Sequence, residues 1–144
     1  MALLTDYFAA SDDEDAGRAL QSGPVTTGFA AVESKSLDGV VTMATLEEIL
    51  TGRDSMSIIH ENTDAVVAMA GDGGPWLIRL RPAVVEALSV AGAPKLAAAA
   101  TGWARTEELA GANPQNLYEF LWNLAHLSNW AIANGRQMYC WMSL

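Results

Sequence analysis

One cysteine, eight basic residues and two histidines are all that 144 residues supply, and each scarcity removes a class of protein. Cys140 alone excludes an internal disulfide and every multi-cysteine zinc pattern. A lone thiol fits a reducing compartment, so a cytoplasmic location is expected. Eight Lys and Arg against 17 Asp and Glu leave a net charge of −9 and a pI near 4.4. Such a polyanion repels phosphate backbones and anionic lipid, which argues against nucleic acid and membrane surfaces as partners. A basic protein or a cationic ligand suits it better, although acidity most often serves solubility alone. The opening MALLTDYFAA has no basic n-region and Asp6 interrupts its apolar run, so it does not read as a signal peptide. The stretch closest in length to a bilayer span, 113–134, carries Asn116, Glu119, Asn123, His126 and Asn129, each costly in lipid.

Motifs that would announce chemistry are missing as well. His60-Glu61 has Asp64 where a zincin helix needs its second histidine, and the β-like residues before it predict a strand over 56–60. The AGDGGP stretch has neither the Lys and Ser/Thr of a phosphate loop nor a dinucleotide spacing; it reads as a hairpin turn. Asp12, Asp13, Glu14 and Asp15 are consecutive, and consecutive helical residues do not face one another, so no metal cage follows. Cys140 alternates with Met138 and Met142 on an apolar strand, where a thiol is inert. Arg79 and Arg81 fall on one face of one strand and are expected to pair with the acid excess. No catalytic residue, metal-ligand set or cofactor is assigned, and the balance leans away from an enzyme.

What the chain does have is apolar residues, 51% of the total, enough for one self-sufficient domain over 1–144. Its most telling element is a helix over 113–134, opened by Asn113-Pro114 and closed by Gly135. Leu117, Phe120, Leu121, Leu124, Leu127, Ala131 and Ile132 form its core stripe. Tyr118, Trp122, His126 and Trp130 recur every fourth residue on the back face. A helix apolar nearly all round needs a partner on both faces, so enclosure between a sheet and the preceding helices is expected. A partner or dimer face, and a small-molecule pocket at Trp122, His126 and Trp130 with Glu107 or Glu108, are the alternatives.

Elsewhere, 2–9 reads as a strand. A capping box at Ser11–Glu14 predicts a helix to about 21, and a second at Thr45–Glu48 predicts one ending at Gly52. Residues 25–42 read as loop with one edge strand. A hairpin spans 65–81, with Trp76, Ile78 and Leu80 facing one way and Leu77, Arg79 and Arg81 the other. Helices follow over 82–90 and 94–110. The closing QMYCWMSL is apolar on both faces and predicts a strand inside the sheet.

Tyr7-Phe8-Ala9-Ala10-Ser11-Asp12 with the helix after it, and Trp103 followed by Glu107-Glu108-Leu109, the long helix, Gly135 and the last strand, resemble the YfbM-like family of small bacterial proteins. The likeness covers the two chain ends and not 25–95. It implies an α+β fold and no catalytic residues. The fold expected from residues and resemblance alike is α+β: a small mixed or antiparallel sheet with helices packed on it, and a long buried C-terminal helix followed by a C-terminal strand. The expected role is a protein-binding module for a basic partner, of immunity or antitoxin type, with a small enzyme or ligand binder and a homodimer as alternatives.

Overall fold

A computed structural model describes residues 3–71 and 73–144. Among the described residues five strands form one wholly antiparallel sheet: β1 (Leu4–Ala10), β2 (Ala31–Lys35), β3 (Val66–Met69), β4 (Trp76–Arg79) and β5 (Gln137–Ser143), in the order β2-β1-β5-β4-β3. The chain is therefore α+β, and its first and last strands are neighbours in the middle of the sheet, with Tyr7 opposite Cys140. The helices are α1 (Asp13–Gly17), α2 (Pro24–Thr27), α3 (Val41–Thr51), α4 (Ser55–Glu61), α5 (Pro82–Val90), α6 (Ala93–Ala104) and α7 (Pro114–Ala133).

Alternation along the strands divides the interior in two. Tyr7, Ala9, Ile78, Leu80, Met138 and Cys140 face the large core, which α3, α5, α6 and α7 complete with Leu46, Leu88, Leu96, Trp103, Phe120 and Leu124. Phe8, Leu77, Tyr139 and Trp141 face the other way, under Ala16, Ala19, Leu20 and Phe29 from the segment around α1 and α2. β5 is thus covered on both faces, as its composition predicts. Three polar ties hold the thin layer down. Tyr139 donates to Asp13 Oδ1 at 2.7 Å, Arg79 grips both oxygens of Asp13, and the Trp141 indole donates to the Leu20 carbonyl at 2.9 Å. Gly23 closes over that indole: a Cβ there would sit 3.2 Å from Trp141 Cη2, and its φ of 89° suits only glycine.

Several element boundaries differ from those the sequence predicts, each for a capping reason. Asp12, not Ser11, caps α1 by accepting from Asp15 N, and the helix makes little more than one turn. α3 begins at Val41, ahead of the Thr45 box, because Asp38 accepts from the amides of Val40, Val41 and Thr42 at 2.7–3.0 Å. The stretch expected as a strand over 56–60 is α4, nucleated by Asp54, which accepts from Ser57 N at 3.1 Å. A side-chain cap at the right position outweighs the β propensity of two isoleucines. α6 stops at Ala104, where the Thr106 hydroxyl takes the Trp103 carbonyl at 2.6 Å, and Glu107–Leu109 form a separate 3-10 turn. Of the predicted strand 2–9, residue 2 lies outside the described residues, as does Asp72 of the hairpin turn.

α7 matches its predicted limits closely. Asn113 accepts from Gln115 N at 2.9 Å and Pro114 takes the first helical position. At the far end Arg136 N reaches back to the Ala131 carbonyl at 2.8 Å and Gly135, φ 65°, donates to Ile132, a Schellman closure. Its front face lies on β1, β2 and β5, and α5 and α6 pack against it.

Candidate interaction face

The back face of α7 is where structure and sequence part. Enclosure on both faces does not occur: Trp122 is 42% exposed and Trp130 47%, His126 is exposed and Tyr118 half-buried. The expected sandwich does form, with the sheet on one side of α7 and α5 and α6 on another, but neither layer reaches the stripe. Ile132, assigned to the core stripe, is also 46% exposed. Val90, at the end of α5, is 82% exposed. Two tryptophans and two aliphatic residues of α5 and α7 are thus left exposed.

Geometry within the stripe is ordered. The Tyr118 and Trp122 ring centroids are 6.3 Å apart, and those of Trp122 and His126 are 4.5 Å apart at 50°. His126 Nδ1 lies 2.8 Å from the Trp122 carbonyl, which can only accept, so Nδ1 carries the proton. In the neutral imidazole this leaves Nε2 as the acceptor. The Arg136 guanidinium stacks 5.6 Å from the Trp130 ring centre.

Beside Trp122 and His126, a shallow groove of about 270 Å³ runs between α7 and the α5–α6 turn, walled by Leu88, Ala91, Leu96 and Asn129. A second depression of about 230 Å³ lies along Pro82, Val85, Ile132, Arg136 and Met138. Neither is closed, and no Asp, Glu, Lys or Arg lines the first.

The other sequence candidates are scattered. Glu107 and Glu108 are exposed on the 3-10 turn, and the His126 groove includes neither; Glu108 lines a separate open groove with Glu33, Lys35 and Leu117. An acid pair beside the imidazole is therefore not assembled. His60 is exposed in the last turn of α4, a helix and not the strand expected there. Among the described residues no group of three or more His, Cys, Asp and Glu could hold a metal ion. No described helix is long and apolar enough to cross a membrane.

Arg79 and Arg81 do pair with acids, but not from one face. The strand ends at Arg79, which turns to Asp13 under the thin layer, while Arg81 stands at the residue before α5 and turns to the helical side. There its Nε donates to Glu47 Oε1 at 2.9 Å and its Nη2 lies 3.4 Å from Glu61 Oε2. Glu47 is a residue that capping logic assigned to a helix start; it is 1% exposed inside α3. Its signal was legible, since 43, 46, 47 and 50 form the buried stripe of α3 and Glu47 is the charged member.

Comparison with protein-family models, with curated proteins and with solved structures finds no match.

Proposed function

We propose that the protein is a non-catalytic binding module that docks a basic protein partner on the outer face of α7. The observation that carries this reading is the exposure of Trp122 and Trp130, 42% and 47%, on one helix face. Tryptophan is the residue most enriched at the energetic centres of interfaces, because it buries a large rigid surface at small entropic cost. Leaving two in water on a helix whose other face is core forgoes that burial within the fold. The net charge of −9 favours encounter with a basic partner. Immunity proteins and antitoxins are instances of this class, and a cytoplasmic location belongs to the same proposal. The resemblance of the chain ends to YfbM-like proteins is proposed as kinship of architecture only.

A second reading, a small-molecule binder, rests on the groove beside Trp122 and His126. A homodimer through the same stripe is a third. Light scattering separates the last: a monomer that captures a basic partner supports the module. The Trp122→Ala/Trp130→Ala double variant should keep its fold and lose the partner at least tenfold in affinity, about 1.4 kcal/mol or more. A double variant that binds unchanged, or a partner whose association is indifferent to salt, overturns the reading.

A further inference from the structure

Among the described residues Glu47 is the one buried charged side chain. Its Oε1 accepts from Arg81, whereas its buried Oε2 makes no hydrogen bond among the described residues. Arg81 also reaches Glu61, and Glu61 is held at its other oxygen by Arg53. The cluster has two acids and two bases, so its formal charge is zero. Glu47 lies on the wall of a small, partly open cavity of about 10 Å³ that Gly39, Met43, Ile58, Val84 and Asn62 also line. Asn62 is half-buried at the end of α4.

We propose that this cavity is the site of one internal water molecule, which donates to Glu47 Oε2 and takes the Asn62 amide as its second partner. Three features select the occupant. The volume matches one water and admits nothing larger. A carboxylate oxygen that has lost bulk solvent needs a donor, which excludes an anion and an apolar group. Arg81 already balances Glu47, so a cation would bring an uncompensated charge into the interior. The water completes the polar junction where α3, α4 and the start of α5 meet, and the inference stands whether or not α7 docks a partner.

A high-resolution crystal structure of the whole chain tests it together with water–protein NOE measurements in solution. Expected is a single density peak at hydrogen-bonding distance from Glu47 Oε2 and the Asn62 side chain, with long-lived water cross-peaks to the methyl groups of Ile58 and Val84. Asn62→Ala should keep the fold and weaken those cross-peaks severalfold by removing one partner. Glu47→Leu should abolish them; should that variant fail to fold, the wild-type and Asn62→Ala measurements decide alone. An empty cavity without cross-peaks overturns the proposal. So does a peak that gains anomalous signal on soaking in rubidium, which would show a cation site instead.

Discussion

Cys140 illustrates how burial sets reactivity at the scale of one residue. The side chain is fully buried between Tyr7 on β1 and Ile78 on β4, its partners across the sheet. Burial pushes its thiol far above the usual range, because the thiolate would have no solvent; the Tyr7 hydroxyl beside it offsets this only in part. Native protein should therefore resist thiol reagents at neutral pH and label fully in urea. Labelling in the native state faster than global unfolding would contradict this. Ser128 gives a second residue-scale prediction. Its hydroxyl is buried on the core side of α7 without a hydrogen-bond partner among the described residues. Ser128→Ala removes an unsatisfied polar group and keeps the helix, so stability should rise by about 1 kcal/mol. Urea unfolding of the pair measures it; a loss of stability would reveal a partner for the hydroxyl.

At the scale of an element, α7 presents two surfaces with different surroundings. Leu117, Phe120, Leu121 and Leu124 are in the core, with the Phe120 ring 5.4 Å from Tyr7 and 6.1 Å from Trp103. Phe120→Ala should cost about 3–5 kcal/mol through lost burial and the cavity left behind. Trp122→Ala and Trp130→Ala, on the open face, should each cost less than about 1 kcal/mol. Denaturant titration compares them; equal costs would mean the outer stripe is enclosed after all. The same contrast appears in fluorescence, since Trp103 and Trp141 are buried while Trp122 and Trp130 face water. Acrylamide should quench a red-shifted fraction that the double variant lacks.

For the whole molecule, the tie between the thin layer and the sheet makes stability sensitive to acid. Hydrogen bonds from Arg79, and then from Tyr139, hold the Asp13 carboxyl below its ordinary value of 3.8. The Ser11 amide and then Arg18 do the same for Asp15. A lowered folded value means stability present above the unfolded value and lost as pH falls through the folded one. Asp6 runs the opposite way: burial, and then Glu33, raise it, so its cost at neutral pH is relieved on acidification. The urea midpoint should therefore fall below about pH 4, less steeply than two carboxylates alone would give. Asp13→Asn should lower the neutral-pH midpoint and flatten the acid limb; an unchanged limb would show that Asp13 does not anchor the layer.

Local pattern alone determined the α+β class, the hairpin at β3–β4, the helix from Pro114 to Ala133 with both its caps, and the two-sided burial of β5. Each follows from a period or a turn residue acting within a few positions, and those forces operate before any distant contact forms. Tertiary packing alone decided the rest. Pattern places Trp122, His126 and Trp130 on one helix face; it cannot show whether another helix arrives to cover them, and α5 and α6 stop short. Nor could spacing reveal that Asp38 and Asp54 would begin helices, that Glu107 and Glu108 would stand away from His126, or that Arg81 would leave the face of Arg79 to meet a buried Glu47. Those outcomes depend on residues brought together across the chain, where shape and charge complementarity, not periodicity, choose the neighbours.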